Sequence, residues 1–196
     1  MKHCPNDLIM LFNDLFREDY RTILVKGSDE PEYLPAVEPA GVAQVVFAHG
    51  YYASALHEIS HWCIAGERRR TLHDYGYWYC PDGRTSEQQR EFEQVEVKPQ
   101  AIEWLFALAT GSRFHISADN LSGDGAADDK GFRTRVRAQV EKYLNSGLPY
   151  RANLFFETLK TFYGTGDRLV QSWELDRTRV APADSESDAY RKAEVV

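Results

Sequence analysis

The stretch Tyr51-Tyr52-Ala53-Ser54-Ala55-Leu56-His57-Glu58-Ile59-Ser60-His61-Trp62-Cys63-Ile64-Ala65-Gly66-Glu67 decides how the rest of the chain is read. Between Gly50 and Gly66 it contains neither proline nor a further glycine, and Ala53, Ala55, Leu56, Ile59, Cys63 and Ile64 describe a mostly buried helix. His57 and His61 stand four residues apart, about one helical turn, so both imidazoles can reach a single ion from one face. With Glu58 they form the pattern HExxH. Both sit among apolar neighbours, where an imidazole without a partner is costly, which weighs against two idle core histidines.

A third ligand is expected just beyond the helix. Gly66 can adopt a positive φ and end it, and the Glu67 carboxylate, ten residues after His57, then folds back towards the histidines. The expected ligand set is therefore His57, His61 and Glu67. Glu96 and Glu103 stand as rivals, since some zinc enzymes with this motif take their third ligand from a later helix. Glu67 is preferred because it needs only a turn, whereas a helix carrying Glu103 has to cross back over the histidine helix.

Two imidazoles and one carboxylate with open positions form the facial triad of non-haem Fe(II) oxygenases, and zinc accepts the same donors. The two metals imply different chemistry. In a zinc-dependent hydrolase, a protease or an endoribonuclease, Glu58 is the general base that activates water; with iron the open positions serve dioxygen and Glu58 has only a supporting role. A third class, a metal-stabilised binding module without a reaction, stays open. The spacing H-x3-H-x5-E is similar to the H-x3-H-x5-H pattern of metzincin proteases and of a bacterial rRNA-maturation endoribonuclease family, with a carboxylate in the last place.

Outward from the motif, Leu8, Leu11, Phe12, Leu15 and Phe16 recur at helical spacing behind a cap at Asn6 or Asp7. Thr22 to Val25 and Val45 to Phe47 read as strands, with a proline-punctuated loop, 31–39, between them. The aromatic run Tyr75 to Cys80 reads as a strand entering the turn Pro81-Asp82-Gly83. Ser86 caps a polar helix to about residue 96, and Pro99 opens the next, with Ile102, Leu105, Phe106 and Leu108 on its apolar face. A strand is expected at Phe114 to Ser117, then an Asp/Gly/Ala-rich loop over 119–129, then helices over 129–145 and 149–163. The expected fold is α+β, a small mixed sheet packed with several helices, with residues 1–175 as a single catalytic domain and 176–196 as a polar tail.

Composition narrows the classes. Of 196 residues 43% are hydrophobic, too many for a disordered chain, and no apolar run is long enough to span a membrane or act as a secretory signal, so a cytoplasmic protein with no membrane partner is expected. Thirty acidic against 23 basic residues leave a formal charge of −7, which disfavours direct nucleic-acid binding. Cys4, Cys63 and Cys80 form no CxxC pair, so neither a disulfide framework nor a cysteine zinc site is expected. His49 and His73 lie near the motif as candidate supports for the ligands, His3 and His115 carry no signal, and Arg68-Arg69-Arg70 reads as a solvated face.

Three segments together, Ala55 to Gly66, Asp74-Tyr75-Gly76-Tyr77-Trp78-Tyr79-Cys80-Pro81-Asp82-Gly83-Arg84 and Val95-Glu96-Val97-Lys98-Pro99-Gln100-Ala101-Ile102-Glu103-Trp104, resemble the elongation factor P hydroxylase family. The likeness runs from the first helix to about residue 165. It implies an α+β fold similar to that of the endoribonuclease family. It also implies elongation factor P as protein substrate, and oxygen-dependent hydroxylation of its modified lysine, already extended by a β-lysyl group. Fe(II) is the expected cofactor, with Zn(II) or another divalent ion as the alternative, and dioxygen the co-substrate; the electron donor and the oligomeric state are not implied. A dibasic side chain suits aromatic faces and carboxylates, so Asp74, Tyr75, Tyr77 and Trp78 are candidate substrate contacts.

Overall fold

The computed structural model describes residues 3–38, 40–74, 83–117, 129–166 and 173. The first helix, α1 (Pro5–Tyr20), buries Leu8, Leu11, Phe12 and Phe16 on one stripe. Its cap is Cys4 rather than Asn6 or Asp7, because Pro5 opens the helix, where a missing N–H leaves no bond unmade. Arg21, in the left-handed region at φ 47°, turns the chain directly into β1 (Thr22–Lys26). Two further strands follow, β2 (Glu32–Leu34) and β3 (Ala43–Phe47), in the order β1-β3-β2.

The sheet is mixed, as expected. β1 runs parallel to β3 with Leu24 opposite Val45, and β2 runs antiparallel to it with Tyr33 opposite Val45. β2 lies inside the segment read from sequence as a loop; Pro31 and Pro35 flank a three-residue edge strand, the one place in a sheet where prolines are tolerated. β3 then leads through a short turn at His49 and Gly50 into α2 (Tyr52–Ile64), the helix that carries the two histidines.

The largest departure is α3. A Thr85 capping box with Gln88, not Ser86, starts a single helix, Ser86–Thr110, that continues through Pro99 instead of breaking before it. Proline forfeits one bond, to the Val95 carbonyl, but every residue from Pro99 to Thr110 is buried, and packing on that scale outweighs the local cost. α3 packs against α2, α4 (Asp129–Ser146) and α5 (Tyr150–Tyr163).

Phe114 to Ser117, expected as a strand, forms none and does not join the sheet. The Gln100 side chain takes the place of a neighbouring strand, accepting from Ser117 N–H at 3.1 Å and donating to its carbonyl at 2.6 Å. The core is aromatic: Phe12, Phe16, Trp62 and Phe155 meet at ring separations of 4.8–6.4 Å, tying α1, α2 and α5 together. Five helices and a three-stranded mixed sheet among the described residues make this an α+β fold. The expected strand at 75–80, with Tyr75, Tyr77, Trp78 and Cys80, all but the last residue of the expected loop over 119–129 and the tail over 176–196 lie outside the described residues, and Asp129 opens α4.

Candidate metal centre

On α2 the two imidazoles face each other, with His57 Nε2 3.0 Å from His61 Nε2. α3 crosses this helix and supplies two carboxylates seven residues apart, on one face of its buried half. Glu96 Oε1 lies 3.2 Å from His61 Nε2 and its Oε2 3.7 Å from His57 Nε2. His57 Nδ1 donates to Glu103 Oε2 at 2.8 Å. The donor atoms of His57, His61 and Glu96 all fall within 4.8 Å of one another, the grouping among the described residues that could hold an ion.

Glu67 is not part of it. α2 ends on Ala65 in an extended conformation (φ −63°, ψ 122°), and Gly66 has no positive φ, so the chain runs on rather than doubling back and Glu67 is left exposed. The turn expected from Gly66 is unnecessary, because Arg151 of α5 closes the helix end: its guanidinium donates to the carbonyls of Trp62 at 2.9 Å and Cys63 at 3.1 Å, and to that of Ala65. The expected fold-back of Glu67 is thus corrected: the carboxylate beside the histidines is Glu96, 29 residues further on in α3, by the kind of crossing weighed against Glu103.

The donor chemistry fits a cation. Because His57 Nδ1 carries the proton given to Glu103, its Nε2, when the ring is neutral, aims a lone pair at His61 and Glu96. Three acceptors then converge on one point, which is unfavourable unless positive charge stands among them. Without an ion a proton fills that role. Burial lowers the His57 pKa, but the Glu103 charge and hydrogen bond, helped by Glu96 and Glu58, outweigh it and hold it at about 10. Burial likewise raises Glu96, and the charge and hydrogen bond of His61, with His57 and Gln100 adding to them, bring it down to about 2.

The cluster forms part of the wall of a cavity of about 770 Å³. Glu58 lines the same cavity, its carboxyl pushed up by burial, which outweighs the pull of His57 and His61. Asp74, one of the expected substrate contacts, is on the wall as well, but Arg69 holds its carboxylate at 2.6 Å and its backbone bridges to Tyr33. Arg69 and Arg70 therefore belong to the cavity rather than to a wholly solvated face; Arg68 is exposed. His115, which carried no signal in the sequence, also lines it. His73 pairs with Glu32 at 3.1 Å and His49 packs on Tyr51, so neither supports a ligand. A sequence signal for the α3 contribution did exist: Gln89, Glu93, Glu96, Gln100 and Glu103 recur at alternating steps of four and three, the spacing of one helix face, and all five are buried.

The model of a family described as elongation factor P hydroxylase matches residues 11–173. A protein of Haemophilus influenzae named elongation factor P lysine hydroxylase is 52% identical over 167 residues, 85% of this chain and 93% of that protein. The matched span takes in both histidines and both α3 carboxylates, and the chain belongs to the elongation factor P hydroxylase family.

Proposed function

We propose that this protein hydroxylates the β-lysylated lysine side chain of elongation factor P, with Fe(II) held by His57, His61 and Glu96 and dioxygen as co-substrate. The observation that carries this reading is the convergence of two imidazole nitrogens and one carboxylate, within 4.8 Å of one another, on a cavity wide enough for an extended side chain. Two imidazoles and one carboxylate with open positions are the donor set of non-haem iron oxygenases. When bound, the iron would supply the activation of dioxygen that carbon hydroxylation requires, one oxygen atom entering the C–H bond and the other leaving as water with two electrons and two protons from an external reductant.

The protein's own residues have distinct tasks. Glu103 fixes the His57 ring and the tautomer that presents Nε2 to the ion. Gln100 donates to Glu96 Oε2 at 3.3 Å while holding Ser117, so the ligand carboxylate and the cavity wall are positioned by one side chain. Tyr33, Val45, Ala53 and Phe92 give the cavity apolar surface for the methylenes of the substrate, excluding water from the carbon to be oxidised. The catalytic domain spans 1–175, and the protein works in the cytoplasm, where its substrate factor acts.

Anaerobic protein loaded with Fe(II) or with Zn(II), then exposed to oxygen with β-lysylated elongation factor P and excess ascorbate as reductant, tests the reading by mass spectrometry. A product heavier by one oxygen atom, formed with iron alone, supports it. Cleavage of peptide or RNA in the zinc sample, without oxygen uptake in the iron sample, overturns it in favour of a hydrolase with Glu58 as base.

A further inference from the structure

The carboxylates lining the cavity are not alike. Glu96 and Glu103 face the histidines, Asp74 is held by Arg69 at 2.6 Å, and Glu32 by His73 at 3.1 Å. Glu30 is exposed to solvent. Glu58 differs: it is only partly exposed, it lines the cavity, and no hydrogen bond or ion pair among the described residues holds its carboxylate. On α2 it projects roughly 100° around the axis from His57 and roughly 60° from His61, beside the ligand cluster rather than within it. Charge points the same way. A divalent ion on two neutral imidazoles is balanced by Glu96 and Glu103, so Glu58 is not needed to neutralise the ion.

We infer that Glu58 receives an ammonium group of the substrate and is the residue by which this site selects a cationic side chain. The inference rests on the substrate reading above, and it gives the motif glutamate work that hydroxylation otherwise leaves undone, since no water has to be deprotonated. The methylenes lie along Val45, Ala53 and Phe92 while the cationic head meets Glu58, which sets how far the side chain extends past the ion.

The test compares β-lysylated elongation factor P with a semisynthetic copy in which a hydroxyl replaces the terminal amine. Binding and turnover are measured separately on iron-loaded wild type, Glu58→Gln and Glu58→Asp. Wild type is expected to bind the amine form about 30-fold more tightly. Glu58→Gln should lose that preference with its iron content unchanged, and Glu58→Asp, which keeps the charge, should retain most of it. A preference that survives in Glu58→Gln overturns the inference, as does a collapse of kcat on both substrates with unchanged binding, or loss of iron. Should Glu58→Gln fail to fold, loss of the preference in a folded Glu58→Asp overturns it equally. Charge-selective binding by wild type that is lost in Glu58→Gln, without any oxygen added to the product, sinks the proposed reaction and supports the role of Glu58.

Discussion

Glu96 and Glu103 share one face of α3, yet their oxygens meet different atoms: Glu96 meets the Nε2 atoms of both histidines, and Glu103 meets His57 from behind through Nδ1. Substitution separates these tasks from each other and from Glu67. Glu96→Gln is expected to lose tight iron binding altogether, Glu103→Gln to weaken it about 10- to 100-fold, and Glu67→Ala to leave it unchanged, as read by metal content after dialysis against a chelator of graded strength. Iron loss in Glu67→Ala with retention in Glu96→Gln contradicts the assignment. The motif His57-Glu58-Ile59-Ser60-His61 could be read from sequence because helix geometry ties four-residue spacing to one face. The carboxylate beside the histidines was legible only in part: four-three spacing marks one polar face of α3, but that Glu96 rather than Glu93 or Glu103 meets His61 depends on how two helices cross, which no local pattern encodes.

The titration of His57 gives a second test at this scale. Its folded pKa of about 10 lies above the ordinary 6.5. The metal-free protein therefore has the full benefit of this cluster below pH 6.5 and loses it as pH rises through 10. Glu96, held at about 2 against an ordinary 4.5, contributes stability present above 4.5 and lost as pH falls through 2. The Tm of metal-free protein should fall between pH 6.5 and 10, whereas a bound ion keeps His57 neutral and removes that slope. Calorimetric titration with metal at pH 8 in two buffers should count about one proton released per ion. No proton release, or the same slope in both forms, runs against a shared place for proton and metal.

Among the elements, α2 ends under the hand of another helix. Arg151 donates to three carbonyls at that end and stacks over Trp62, with its charged form disfavoured by burial and by Arg70. Arg151→Met keeps the bulk and removes the donors; it is expected to cost about 2–3 kcal/mol and lower the Tm by about 5–10 °C. An unchanged Tm means that water serves the carbonyls equally well. Element boundaries read from sequence fared according to what sets them. α1 and α5 follow from apolar periodicity, α5 bounded by Pro149 and Gly164, whereas Pro99 misleads because the eleven consecutive buried residues behind it override a breaker. β2 escaped notice because three residues between prolines carry no alternation to detect.

For the molecule as a whole, the α+β class was legible because two short β-branched runs and several amphipathic helices leave few other arrangements. The cavity was not, since its wall is drawn from α2, α3, the β2 and β3 strands and the turn at Arg69 and Arg70. An ion between α2 and α3 binds the folded form alone, so saturating iron should raise the Tm of wild type by mass action, and the increment should vanish in Glu96→Gln. The decisive measurement is anomalous diffraction at the iron edge from crystals grown anaerobically with Fe(II). A single peak within about 2.3 Å of His57 Nε2, His61 Nε2 and a Glu96 oxygen is the expected result. A peak ligated by Glu67, or none between the two histidines, contradicts it.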